Sequence, residues 1–163
     1  MELIKIFSDV EDIESKQFRL REAARGIFFD ENKLIPILKV KKYNYHKLPG
    51  GGLDHGEKIL EGLKRELKEE TGCEIYVDKK VGKIVEYRGK YNLKQISYCY
   101  LGKITKKGEP SFTQKEKEQG FEIIWIKIQD AIKLISEDNP FNYEGKGIRK
   151  RDLKFLQKVF EKL

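Results

Sequence analysis

The residues best equipped for chemistry lie in one stretch of the chain. Gly50, Gly51 and Gly52 lead through Leu53-Asp54-His55-Gly56 to Glu57, and beyond it stand Arg65, Glu66, Glu69, Glu70, Gly72 and Cys73. Glycines permit positive φ and a close approach of backbone to a ligand. From Glu57 to Thr71 the residues are good helix formers apart from Gly62, and Gly72 is a natural stop. Glu57 is expected in the first turn, where the helix dipole favours an acid. At about 100° per residue, Leu60, Leu63 and Leu67 form a stripe expected to face the core, with Lys64 and Lys68 turned to solvent. Glu66, Glu69 and Glu70 share the adjacent stripe, and Gly62 within it leaves room for a ligand or a loop. Like charges at i, i+3 and i, i+4 each cost roughly a few tenths of a kcal/mol. Arg65 can reach Glu69 and Glu61, but one cation does not neutralise the cluster. A hard divalent cation does, and Mg²⁺ characteristically combines a few carboxylates with substrate phosphates.

The stretch resembles the Nudix box, GX5EX7REUXEEXGU with U a bulky aliphatic residue. Gly51, Glu57, Arg65, Glu66, Glu69, Glu70 and Gly72 fill every fixed position, and Leu67 fits the first U. Cys73 stands where a larger aliphatic is usual, a departure that touches local packing only. The resemblance to this MutT-like hydrolase family implies an α/β (α+β) fold, an α/β/α sandwich around a mixed sheet. It also implies hydrolysis of a nucleoside diphosphate linked to another moiety. Carried onto matching positions, Glu66, Glu69 and Glu70 become the metal-binding and catalytic carboxylates, with Glu66 a candidate general base. Mg²⁺ is the expected cofactor, with Mn²⁺ as a substitute. A backbone carbonyl near Gly51 is expected to complete a metal shell, while Arg65 and Glu57 orient the helix.

The rest of the chain supplies the elements that must position this set. Its 163 residues, 39% of them hydrophobic, suit one domain with a proper core, taken as residues 1–163 with a core over about 19–137. Arg19 to Phe29 and Lys33 to Val40 read as a hairpin around Asp30-Glu31-Asn32. Glu74 to Val77, Val81 to Tyr87, Gln95 to Ile104 and Phe121 to Ile126 read as further strands, and Leu3 to Phe7 as a short one. Helices are expected at about 129–136 and 148–162. The last one carries Leu153, Leu156, Val159, Phe160 and Leu163 at helical spacing.

No apolar run is long enough to span a bilayer, and the first residues do not read as a signal peptide. Cys73 and Cys99 lack metal-ligand spacing and read as reduced thiols, so a cytoplasmic monomer or homodimer is expected. The net charge of +7 raises a nucleic-acid reading, but lysine is scattered and no nucleic-acid-binding signature accompanies it. The densest basic run, Lys146, Arg149, Lys150, Arg151 and Lys154, reads first as a solvated helix face and second as a device for steering anions.

Outside the box the candidates for binding substrate are Arg25, with Arg21 beside it on the same strand, and Lys39 on the expected hairpin partner. Gly51 joins them, as do Glu116 and Glu118 on the loop before the last strand, which suit reading a base or activating water. Tyr87, Tyr91, Tyr98 and Trp125 suit stacking or the core, and His46 and His55 read as ordinary loop residues. Together these point to a pyrophosphohydrolase acting on a small nucleotide, a nucleoside triphosphate such as an oxidised purine nucleotide. A dinucleoside polyphosphate or an RNA 5′ end is the enzymatic alternative, and a catalytically silent nucleotide-binding module the competing class.

Overall fold

Strand-forming residues dominate the chain, and in the computed structural model, which describes all of residues 1–163, they build two sheets. The strands are β1 (Leu3–Ser8), β2 (Arg19–Phe29), β3 (Ile35–Val40), β4 (Tyr45–Lys47), β5 (Gly50–Gly52), β6 (Glu74–Arg88), β7 (Leu93–Lys106) and β8 (Phe121–Ile126). The helices are α1 (Ile59–Thr71), α2 (Gln114–Glu118), α3 (Ile128–Glu137) and α4 (Tyr143–Phe160). A mixed sheet runs in the order β1-β6-β7-β2-β5, and an antiparallel one in the order β4-β3-β8.

Alternation along β2 divides the core. Ala24 and Phe28 face Leu63 and Leu67 of α1, whereas Ile27 packs with Ala131 and Ile135 of α3 and Phe155, Leu156 and Val159 of α4. The mixed sheet thus lies between α1 and the α3–α4 pair, in the expected α/β/α layering.

The expected hairpin does not form. Asp30 N–H donates to the Leu34 carbonyl at 2.8 Å, and Asp30 Oδ1 accepts from Asn32 and Leu34, so the turn itself closes. The ladder stops there: β2 pairs with β7 in parallel along its whole length and, at Ala23–Arg25, with the glycine strand β5 in antiparallel register, and not with β3. β3 therefore crosses to the second sheet and pairs with β4 and β8. The stretches around Glu74 and Val81 are one bulged strand, β6, and the polar loop after β7 contains α2.

Two helices also differ in part from the expectation. α1 begins at Ile59 with Lys58 as its cap, so Glu57 precedes the helix. Leu60 is 42% exposed, leaving Leu63 and Leu67 to the core. The room at Gly62 is filled by the preceding loop, since a Cβ there would lie 2.4 Å from Leu53 and 2.8 Å from the Glu57 carboxylate. In α4 the buried stripe is Gly145, Arg151, Asp152, Phe155, Leu156 and Val159, while Phe160 and Leu163 are exposed. Leu156 and Val159 are buried as expected and Leu153 packs against the core, but the buried stripe also takes in Arg151 and Asp152.

Candidate active site

β5 is the edge strand of the mixed sheet, and its glycines let charged groups approach from both sides. A Cβ at Gly51 would sit 2.7–2.8 Å from the Glu66 carboxylate, and one at Gly52 would sit 2.8 Å from Arg21 Nη2. Successive strand residues point to opposite faces, so Glu66 of α1 and Arg21 of β2 reach this edge from opposite sides of the sheet. Gly50 donates its N–H to Glu70 Oε1 at 2.7 Å. Lys47 Nζ lies 3.2 Å from the Gly50 carbonyl and 3.5 Å from Glu70 Oε2, in a buried position.

Arg65 organises the helix end. Its guanidinium donates to both Glu57 oxygens at 2.8 and 2.9 Å, to Glu66 at 3.0 Å, to Glu69 at 3.4 Å and to the Gly52 carbonyl at 3.2 Å. These hydrogen bonds hold the Glu57 carboxyl down at about 2. The neighbouring carboxyls behave in the opposite way. Burial raises Glu66 above the usual carboxylate range, with Arg65 pulling against it and Glu69 adding repulsion. Burial also raises Glu70, which is 2% exposed, against the pull of Lys47 and the Gly50 N–H, and Glu66 and Glu116 push it further. Burial thus opposes the charge on both carboxylates despite the cations Arg65 and Lys47 beside them.

A cavity of about 660 Å³ opens at this edge, a size suited to a nucleotide-scale ligand. Glu66, Glu70 and Gly50 to Gly52 line one part of it, and Glu116 of α2 lines it across from them. The rest is strongly basic, with Arg19, Arg21 and Arg25 of β2, Arg88 of β6 and Arg151 of α4. Tyr43, Tyr45, Tyr91 and Phe121 add aromatic surface. Behind the arginines, Arg151 donates to Asp152 at 2.8 Å and to Glu86 at 3.2 Å, while Asp152 Oδ2 accepts the Leu48 N–H at 2.9 Å. One buried ionic network thus anchors the chain just before the glycines.

Comparison with known proteins identifies this arrangement. The family model for the NUDIX domain matches residues 19–145. The chain belongs to the NUDIX family. It is by that membership a hydrolase acting on pyrophosphate bonds. Three solved structures share the fold at low identity. A NUDIX hydrolase from Nitrosomonas europaea superposes with a TM-score of 0.66 at 11% identity, covering 88% of this chain and 90% of that one. A MutT protein from Methanosarcina mazei Go1 gives 0.62 at 17% identity, over 90% and 98%. A MutT NUDIX hydrolase from Burkholderia pseudomallei gives 0.57 at 15%, over 82% and 98%. No curated protein matches by sequence. No helix is long and apolar enough to cross a membrane.

Of the residues singled out from the sequence, the NUDIX cavity brings together Glu66, Glu70, Gly51, Arg21, Arg25 and Glu116. Glu69, 38% exposed, is turned to Arg65 and does not line it. Lys39 lies outside, cross-strand from His46 and Glu122, because β3 belongs to the second sheet rather than to a hairpin with β2. Glu118 also lies outside; α2 turns it outward, where it accepts from Gln114. Of the aromatics singled out from the sequence, only Tyr91 lines the cavity. Tyr98 donates to Glu22 at 2.6 Å, Tyr87 packs on Phe18, and Trp125 lies under Lys107. His46 is bound to Asp138 at 3.0 Å, and His55 is exposed.

Sequence reasoning passed over Lys47, Arg88, Gln95 and Tyr45. Arg151 was legible in principle, since it stands three residues after Ile148 and four before Phe155. Lys47 had only its place three residues ahead of the glycines as a signal.

NUDIX hydrolases generally use divalent metal ions, and the donors here suit a hard cation. Glu66 and Glu70 are oxygen donors whose charge burial opposes, and the glycines bring the backbone close to them, Gly51 at Glu66 and the Gly50 N–H at Glu70. The expected trio is not gathered, however; no three His, Cys, Asp or Glu side chains converge in a metal-binding array. The reason is Arg65, which holds Glu66 and Glu69 from one side while Glu70 turns to Gly50.

Proposed function

We propose that this NUDIX hydrolase is a Mg²⁺-dependent pyrophosphohydrolase whose substrates are nucleoside triphosphates, with residues 1–163 forming one domain. The observation that carries the reading is a single cavity lined both by half-buried Glu66 and buried Glu70 and by Arg19, Arg21, Arg25, Arg88 and Arg151. The carboxylates suit a divalent cation, and the wall suits a compact polyanion rather than a neutral sugar conjugate.

Glu66 and Glu70, with Glu69 after a turn away from Arg65, would hold Mg²⁺ or Mn²⁺ beside the Gly50–Gly51 backbone. Such an ion supplies charge neutralisation on phosphate oxygens and lowers the pKa of bound water. The chain's own part is mostly positioning and electrostatics. Arg65 keeps the Gly52 carbonyl, Glu57 and the start of α1 in one arrangement. Glu66, raised by burial, is the candidate to accept the proton of the attacking water. Arg25 contributes positive charge on the substrate side, and Glu116 faces the carboxylates from α2.

The test is a substrate panel assayed with Mg²⁺ for released phosphate and pyrophosphate. A nucleoside triphosphate is expected to give a higher kcat/KM than ADP-ribose or a nucleotide sugar. ADP-ribose as the best substrate overturns the reading.

The placement of α2 yields a sharper expectation for its two acids. Glu116→Gln should change the pH profile or the ranking among nucleobases, whereas Glu118→Gln should match wild type on every substrate. Equal effects of the two changes contradict a role for Glu116 in the cavity. Thr113 and Glu116 also form a capping box, with bonds of 2.9 and 3.2 Å. Glutamine can still fill that N3 position, so a change in activity would not reflect unwinding of α2.

A further inference from the structure

Arg25 is 4% exposed and carries a full charge, yet no ion pair or side-chain hydrogen bond joins it to the protein, and its Nε is buried without a partner. Burial and then Arg151 pull its pKa down to about 9, which still leaves it charged at neutral pH. Arg151, fully buried, uses Nε on Asp152 and Nη1 on Glu86 but leaves Nη2 unpartnered. Arg21 meets only the neutral Gln95 carbonyl, at 2.6 Å. A buried cation without an acceptor is costly, and here three guanidinium groups line one cavity with donors to spare.

This group is separate from the carboxylates. Glu66 and Glu70 belong to α1, on the side of the sheet where Ala24 and Phe28 pack. Arg25 alternates to the other side, with Ile27 and the α4 residues Arg151 and Asp152. Only the thin glycine edge divides the two. A ligand that straddles Gly50 to Gly52 with its pyrophosphate at Glu66 and Glu70 presents some other part of itself to the arginines. A planar fork with free N–H donors selects an oxyanion there. Arg25 and Arg151 expose almost no surface, which favours a small terminal oxyanion over a link in a chain that continues.

We propose that the substrate carries a second anionic group of the phosphate-monoester class, apart from the bond that is cleaved, and that Arg25, Arg21 and Arg151 bind it. This rests on the hydrolase reading above for the position of the pyrophosphate, though not for the existence of the anion site.

Two measurements on the full chain separate the claims. In the first, thermal unfolding is followed with inorganic phosphate in the presence of a chelator, which silences any metal-dependent site. Phosphate should raise the Tm of the wild type in a saturable manner, since a ligand bound only by the folded state stabilises it. Arg25→Met should show a higher Tm without phosphate and no response to it, and Arg21→Gln a response weakened at least about tenfold in apparent affinity. A wild type indifferent to phosphate overturns the proposal, as does an Arg25→Met protein that is less stable or does not fold. An Arg21→Gln protein that responds like the wild type overturns the place of Arg21 in the site.

In the second, ATP is compared with the same triphosphate bearing a ribose phosphate monoester, and with the triphosphate-ended dinucleotide. The monoester should be favoured in kcat/KM over ATP by at least about tenfold, and the preference should vanish in Arg25→Met. Preference for the dinucleotide contradicts a terminal group. Phosphate binding without hydrolysis of any nucleotide sinks the triphosphate reading and leaves the anion site standing. ATP hydrolysis without phosphate binding or monoester preference does the reverse.

Discussion

Glu70→Gln is expected to lower turnover at least about a hundredfold with the fold intact, reflecting the several kcal/mol of charge stabilisation in a metal-assisted site. The structure explains why folding should survive. Glutamine can still accept the Gly50 N–H, now 2.7 Å from Glu70 Oε1, so the glycine strand keeps its anchor. What disappears is a buried negative charge that burial already opposes. Glu69→Gln should have a smaller effect, because Glu69 is half-exposed and bound to Arg65 outside the cavity. Near wild-type turnover of folded Glu70→Gln at saturating Mg²⁺ would contradict the assignment, and so would a larger loss at Glu69.

Asp152→Ala is expected to cost about 3–5 kcal/mol in denaturant unfolding, the range for breaking a buried ion pair by removing one partner. Asp152 and Arg151 are both fully buried, and their 2.8 Å contact continues to Glu86. The same carboxylate takes the Leu48 N–H at 2.9 Å, so its loss also leaves a buried donor unpaired two residues before Gly50. The network has a pH signature as well. Burial is the largest influence and by itself would raise both carboxyls, but Arg151, Arg25 and the hydrogen bonds to each group together hold Asp152 below its ordinary 3.8, and with Arg88 they hold Glu86 below its ordinary 4.5. Folding stability from these groups is therefore complete above those ordinary values and fades as the pH falls beneath them. Unfolding curves should show the wild type losing stability through that acidic window, with a shallower loss in Asp152→Asn. A pH-independent wild type would refute the coupling.

The box was legible because its chemistry depends on local spacing. One helix carries the carboxylates, one glycine run faces them, and both follow from consecutive residues. The layered fold was legible in the order of its elements, and β8 was readable to the residue. The pairing of β2 was not, because its partners β7 and β5 are chosen by competition for sheet edges, which no local turn signal encodes. Lys39 was misplaced with that hairpin. The full buried stripe of α4 was hidden for a related reason. Of the expected stripe Leu153, Leu156, Val159, Phe160 and Leu163, the middle residues do meet the core and the last two are exposed, while the helix also buries Arg151 and Asp152, which bond to Glu86 and Leu48, far away in sequence. The basic run thus held both solvated lysines and the innermost arginine of the cavity.

The central claim, a metal-assisted hydrolysis centred on Glu66 and Glu70, is tested most directly by turnover of a nucleoside triphosphate across a Mg²⁺ titration of protein first stripped with chelator. The account predicts no cleavage in chelator and saturable activation by Mg²⁺, with Glu66→Gln requiring more Mg²⁺ and reaching a lower plateau. Undiminished cleavage in chelator, or a Glu66→Gln curve that overlays the wild type, would contradict it.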